Sequence, residues 1–183
     1  MRILILDGNP NAQDAEFGAC LSGLEAELKG RGHDIRTQIL RNMDIRYCTG
    51  CWGCWAKTPG KCVFPDDSYD VCREYIHADL VLMTSPVLMG FPSAVLKKTQ
   101  DRLIPLLHPY FDIVRGENHH QARYEAYPRL GLLLKPSHET DGEDLEIITE
   151  MFSRFALNFK TTLVFSGRID QDVREVADAL DRI

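Results

Sequence analysis

Five short apolar runs punctuate the chain, and most are followed by a stretch of helical period. Arg2–Leu6 (RILIL) is continuously apolar, the pattern of a strand covered on both faces. Behind it Phe17, Leu21, Leu24 and Leu28 fall on one helical face, with Gly30 and Gly32 to end the helix. Ile35–Leu40 alternates apolar and polar positions and predicts a strand nearer an edge, while 42–65 reads as loop. Asp66-Asp67-Ser68 offers an N-cap to a helix that would turn Tyr69, Cys72 and Ile76 inward. Leu80–Thr84 predicts a third strand that gives way to a turn at Ser85-Pro86. Ser93 then caps a helix with Leu96, Thr99 and Leu103 inward and Lys97, Lys98 and Arg102 toward water, limited by Pro105. Residues 107–128 read as a long loop, Leu130–Leu134 as a fourth strand, and 142–159 as a helix with Leu145, Ile148, Phe152, Phe155 and Phe159 on one side. Thr161–Phe165 gives a fifth strand and 171–183 a final helix.

Such alternation implies a parallel sheet with helices on both faces. Five strands suit a single α/β domain, 1–183, with a doubly wound, flavodoxin-like five-stranded parallel sheet in the order 2-1-3-4-5. Sheets of this kind bind ligands beyond the carboxyl ends of the strands, at the switch point beside the first strand. That expectation gathers the segments 7–16, 85–92 and 136–142 at one site.

The 183 residues carry 21 Lys and Arg against 27 Asp and Glu, a net charge of −6, which argues against a general nucleic-acid binder. The longest apolar stretch, Leu80–Leu96, is broken by prolines and reads as strand, turn and helix start rather than a membrane span. The opening residues show no export signal, so the expected compartment is the cytoplasm. There the six cysteines would be reduced thiols or metal ligands.

Cys48, Cys51, Cys54 and Cys62 form C-x2-C-x2-C-x7-C, within the cysteine-rich loop expected at 47–65. Three thiols two residues apart can fold onto one small centre, and the fourth completes a four-cysteine set. The first three resemble the opening of a bacterial ferredoxin motif, where thiolates hold an iron–sulfur cluster. Structural zinc more often uses two separated C-x-x-C pairs. Gly50, Gly53 and Gly60 allow tight turns and bare backbone N–H groups that can bond to sulfur, which fits a close-packed cluster. Zinc, free thiols or a labile cluster are the competing readings. Trp52 and Trp55 would shield a centre or pack the loop, and Cys20 and Cys72 lie on apolar helix faces as small buried groups.

The run IRYCTGCWGCWAKTPGKCVFPDD, followed by ADLVLMTSPVLMGFPSAVLKKTQDRL, resembles the NADPH-dependent FMN reductase-like and iron–sulfur flavoprotein group of the flavodoxin-like superfamily. The similarity covers about 2–135 and is strongest at 45–103. The resemblance implies FMN at the strand ends and a 4Fe–4S cluster held by Cys48, Cys51, Cys54 and Cys62, often near the flavin of a neighbouring subunit. It implies that Ser85, Pro86, Val87, Leu88, Met89 and Gly90 run along the flavin ring, where relatives often carry Tyr at the position of Leu88. Gly8-Asn9-Pro10-Asn11 matches the start of the phosphate loop, so Asn9, Pro10 and Asn11 are expected cofactor contacts. The spacing to Phe17 resembles the quinone-reductase branch and adds that residue. Relatives continue with a cation and hydroxyls, whereas Asn11–Gly18 here has neither and contains Asp14 and Glu16.

The implied activity is that of an FMN-dependent oxidoreductase or electron-transfer protein. It would pass electrons from NADH, NADPH or a protein donor to an unidentified small-molecule or protein acceptor. The flavin converts two-electron into one-electron chemistry, so no acid–base side chain is required and no catalytic residue is assigned. A homodimer or homotetramer is expected, without nucleic acid or membrane as partner, and Tyr110-Phe111 and Tyr124–Tyr127 are candidates to pack a second subunit. His119-His120 reads as weak metal signal, and His138, Glu139 and Asp141 as a solvated loop. The competing function is a flavin-free protein of the same fold whose cysteine loop binds metal or senses redox state.

Overall fold

Strand β1 (Arg2–Asp7) is buried along nearly its whole length, and the rest of the sheet grows from both its sides. The computed structural model describes every residue from Met1 to Ile183. In chain order follow helix α1 (Ala15–Gly30), β2 (Asp34–Ile39), the short helix α2 (Gly53–Ala56), α3 (Ser68–His77), β3 (Leu80–Leu88) and β4 (Phe91–Pro92). Then come α4 (Ala94–Asp101), β5 (Leu107–Val114), β6 (Glu117–Ala122), β7 (Arg129–Lys135), α5 (Gly142–Asn158), β8 (Leu163–Arg168) and α6 (Val173–Asp181). The main sheet runs β2-β1-β3-β7-β8, all parallel. Counted over these five strands alone, that is the expected 2-1-3-4-5 order.

Alternate residues serve opposite layers, as a pleated strand requires. Leu4, Leu6, Val81 and Met83 pack toward α3, α4 and α5, while Ile3, Ile5, Leu80 and Leu82 pack toward α1 and α6. The predicted face of α1 (Phe17, Leu21, Leu24, Leu28) is buried as expected. Side chains cap four helices: Asp14 on α1, Ser93 on α4, Asp141 in a capping box with Asp144 on α5, and Asp172 on α6. No helix is long and apolar enough to cross a membrane.

Several expectations are corrected. Residues 107–128 are largely a β-hairpin, β5–β6, turned by Arg115 and Gly116 at φ 53 and 82. Positive φ at both turn positions is the two-residue hairpin geometry, normally announced by Asn-Gly or Asp-Gly, so Arg-Gly concealed it. The segment 47–65 is interrupted by α2. Strand β3 does not stop at Thr84: it runs to Leu88, through Pro86. The last β1 pairing is Asp7 with Thr84, so beyond it β3 presents a bare edge where a missing N–H costs no ladder bond. The inner face of α3 is Ser68, Val71, Cys72 and Tyr75, with Tyr69 exposed under the ammonium of Lys61. Tyr127, a candidate for a subunit contact, is committed internally, its hydroxyl donating to the Leu106 carbonyl at 2.6 Å.

Candidate functional site

The carboxyl ends of β1 and β3 meet at Gly8, whose N–H donates to the Thr84 carbonyl at 2.9 Å. A Cβ at Gly8 would stand 2.7 Å from that carbonyl oxygen and 2.8 Å from Leu96 Cβ, so glycine is obligatory for this approach. Ser93, the cap of α4, donates its hydroxyl to the Gly8 carbonyl and accepts from Leu96 N–H. The start of α4 is thereby sewn to the end of β1. Ser85 is spent in the same knot: its hydroxyl donates to the Pro86 carbonyl and accepts from Ser93 N–H, both at 2.8 Å.

The expected flavin contacts divide accordingly. Phe17, Ser85, Pro86 and Val87 are buried scaffold, and the Phe17 ring lies in the core with only its N–H toward the loop. Asn9 is buried as well, while Pro10 and Asn11 are exposed. Leu88, Met89 and Phe91 form an exposed apolar tip, with Met89 94% exposed, on the turn into β4. Gly90 holds φ +74 in that turn, and a Cβ there would come within 2.7 Å of an Asp144 carboxylate oxygen.

The loop between β1 and α1 satisfies its own donors. Asn9 N–H bonds the Asp7 carboxylate, Asn11 N–H the Asn9 side chain, Gln13 N–H the Asn11 side chain, each at 2.9 Å. Asp14 takes the Phe17 N–H at 3.2 Å. Arg41 braces the loop from below, with 2.7 Å to the Asp7 carboxylate and 3.2 Å to the Asn9 carbonyl. The cation absent from the loop sequence arrives from elsewhere. Lys135, at the end of β7, reaches Asp14 at 2.7 Å and Glu16 at 2.8 Å. These bonds raise the Lys135 ammonium above its ordinary value. Burial pushes Asp14 up, but the bonds from Lys135 and Phe17 N–H outweigh it, and its carboxyl is held below the ordinary value. His138 and Glu139 stand in water, as expected.

The cysteines occupy the other end of α4. Cys48, Cys51, Cys54 and Cys62 line one cavity of about 120 Å³, with Trp52, Trp55 and Arg102 in its wall. That volume far exceeds the ~10–15 Å³ one water requires. No three His, Cys, Asp or Glu side chains close tightly enough to chelate a single ion. Trp52, in the left-handed region at φ 59, turns the chain into α2. The backbone N–H of Gly53, beside it, holds the Cys51 thiol below its ordinary value. Burial raises Cys54, and the charges of Cys62 and Cys48 add to it. Trp55 anchors the loop, its indole donating to the Leu107 carbonyl at 2.9 Å. Cys72 is a buried thiol pushed up to about 12 by burial, as its place on an apolar face predicts.

Arg102 overturns the expectation that it faces water: it is 2% exposed. Its guanidinium grips the Asp66 carboxylate through both Nη atoms, at 2.8 and 2.9 Å, and Ser68 Oγ at 2.9 Å. It also donates to the Arg46 carbonyl at 2.8 Å and to Cys62 Sγ at 3.1 Å. One side chain therefore joins both ends of the cysteine loop to a cysteine within it. Its Nε–H has no partner in the protein. A signal was present: Leu96, Thr99 and Arg102 follow one another at three-residue steps, one position from buried Leu103.

Residues 1–125 match the model of the NADPH-dependent FMN reductase family. The chain belongs to this family. Among curated relatives of this FMN reductase family member is an iron-sulfur flavoprotein of Archaeoglobus fulgidus, 35% identical over 82 residues, 45% of this chain and 36% of the relative. An iron-sulfur flavoprotein of Methanocaldococcus jannaschii is 28% identical over 116 residues, 63% of this chain and 57% of the relative. The chain thus spans between about a third and a little over half of these relatives. Among solved structures, an FMN-dependent NADH-azoreductase from Bacillus anthracis in complex with FMN superposes with a TM-score of 0.67 at 12% identity. That superposition covers 100% of this chain and 99% of the azoreductase, and establishes the shared fold.

Proposed function

We propose that this chain is a flavin-dependent NAD(P)H oxidoreductase that exchanges electrons through an iron–sulfur centre, with FMN at the strand ends and a 4Fe–4S cluster on Cys48, Cys51, Cys54 and Cys62. The observation that carries the reading is the cavity ringed by these four thiols in a chain of the FMN reductase family. Their chemistry fits the cluster. Four soft sulfur donors border one cavity, and a buried guanidinium already donates to one of the sulfurs.

The flavin site fits in two unequal parts. The apolar tip of Leu88, Met89 and Phe91 suits a flat aromatic ring. For the phosphate, the N-terminus of α1 and Lys135 are the positive groups in place, and Lys135 must exchange Asp14 and Glu16 for the dianion. When bound, the flavin and the cluster together supply hydride acceptance and one-electron transfer. The chain's share is to hold them. Ser93 and Gly8 fix the ring end, Arg102 fixes the cysteine end, and α4, about 12 Å of helix at ~1.5 Å per residue, spaces them. Exposed Leu88, Met89, Phe91, Tyr110, Phe111 and Ile113 favour a homo-oligomer that covers them.

The test is an absorbance spectrum of protein purified without oxygen, with iron, zinc and flavin assayed on the same sample. Flavin bands over a broad iron–sulfur shoulder, bleached by NADH or NADPH, are the expected result. A colourless sample overturns the reading, and zinc in that sample turns the cysteine loop into a structural site. The electron acceptor would then be sought by supplying quinones or a ferredoxin to the reduced protein.

A further inference from the structure

Arg102 lines the cysteine cavity, and of the residues that line it Arg102 alone has a buried polar side-chain atom, Nε, without a partner. An arginine is costly to bury, so each of its donors is expected to be answered. Four of its contacts are answered by protein: Asp66, Ser68, the Arg46 carbonyl and Cys62 Sγ. Two of those describe a balance of charge. The carboxylate of Asp66 is fully buried and neutralises the guanidinium, its Oδ1 sharing Nη2 with Cys62 Sγ. The Cys62 contact hands an N–H from the same cation to a candidate ligand sulfur.

We propose that Arg102 sets the reduction potential of an iron–sulfur centre in this cavity, through its bond to Cys62 Sγ and the unshared Nε–H. The inference rests on the iron–sulfur part of the proposed function. Reduction adds one electron, and so one negative charge, beside Arg102, with no bond broken and no proton moved. Hydrogen bonds to sulfur and local net charge are the levers by which a protein tunes such a couple. Arg102 supplies both, and Asp66 opposes it. The charge that matters is therefore the difference between the two partners, and removing one or the other drives the potential in opposite directions.

The experiment is a redox titration with sodium dithionite as the electron source, followed by electron paramagnetic resonance. It uses the whole chain reconstituted without oxygen, with iron per chain and thermal unfolding measured in parallel. Arg102→Gln leaves Asp66 as an uncompensated negative group, and the expected result is a midpoint more negative by a factor of about ten in electron affinity, ~59 mV for a one-electron couple. Asp66→Asn leaves Arg102 uncompensated, and its midpoint is expected to rise. Arg102→Lys keeps the charge and is expected to shift least. Iron-loaded Arg102→Gln and Asp66→Asn proteins with unmoved midpoints, or with shifts of the same sign, overturn the proposal and leave Arg102 a packing residue. Should Arg102→Gln fail to fold, Asp66→Asn decides alone: an unchanged or lowered midpoint overturns it. A wild-type chain that takes up no iron overturns the iron–sulfur reading and the inference together, a result distinct from a loaded wild type with unresponsive variants.

Discussion

At its N-terminal end α4 starts from a knot in which each named donor has an acceptor within the chain: Ser93 to Gly8, Ser85 to Pro86, Asn9, Asn11 and Gln13 to neighbouring side chains. At its C-terminal end it runs into a cavity bordered by four thiols and a buried guanidinium with an N–H to spare. The first end is complete as polypeptide. The second keeps a buried N–H without a partner beside four thiols. In the proposed function the same helix would carry a self-satisfied loop that a flavin phosphate enters by displacement and a set of soft donors for a cluster. Affinity at the two ends is expected to respond to opposite interventions: relieving internal pairing at the first, preserving it at the second.

The largest test is at the cysteine end. Arg102→Met leaves Asp66 buried and alone, and is expected to cost about 3–5 kcal/mol in urea unfolding. A loss below ~1 kcal/mol would show that the ion pair is not what closes the loop. At the other end, Gly8→Ala forces a Cβ against the Thr84 carbonyl and Leu96, and about 1–3 kcal/mol is expected from the overpacking. Asp14→Asn keeps the helix cap but removes a charge from the phosphate approach. Stability at neutral pH should fall by less than ~1 kcal/mol with loss of the Lys135 ion pair, while FMN binding tightens roughly two- to fivefold by fluorescence titration, from ~0.3–1 kcal/mol of dipole and charge. Riboflavin, which has no phosphate, should bind both proteins equally, and a parallel gain for riboflavin would sink the displacement account.

Acid separates the ends less sharply, because Asp14 and Asp66 are both held below the ordinary carboxyl value of 3.8. A carboxyl depressed by folding contributes stability that is fully present above its unfolded value and is lost as pH falls through the folded one. Stability should therefore decline below about pH 3.8, and less steeply in Asp14→Asn than in wild type, as followed by urea midpoints. The smallest effect is kinetic. In metal-free protein, iodoacetamide should label Cys51 before Cys54, and Cys72 last, the order of their thiol values and burial. Mass spectrometry of early time points reads that order directly.

The sheet was legible because strands covered on both faces, such as RILIL and LGLLL, must be apolar throughout, and nothing in the fold competes with that demand. The cysteines were legible for a similar reason, since spacing in sequence survives as proximity in a short loop. What escaped depended on long-range pairing. Arg102 resembles any solvent-facing arginine until Asp66, thirty-six positions away, is folded against it. Lys135 reads as the polar end of a strand, and its role exists only once β7 lies within reach of α1. The β5–β6 hairpin was hidden by local chemistry instead, since Arg115 occupies a positive-φ turn position that asparagine or glycine usually marks.

The bracket that Arg102 makes between Arg46 and Asp66 has a thermodynamic reach beyond the contacts themselves. About 20 residues separate those anchors, and closing a free segment of that length costs on the order of 2–3 kcal/mol of chain entropy. In the folded protein that ordering is already done before any metal arrives. A synthetic peptide of residues 46–66, bearing the same four thiols, would have to make it up from its own binding energy. It should hold iron or zinc on the order of a hundredfold more weakly than the intact chain. On the proposed function, metal affinity would then belong to the domain that frames the motif as much as to the motif.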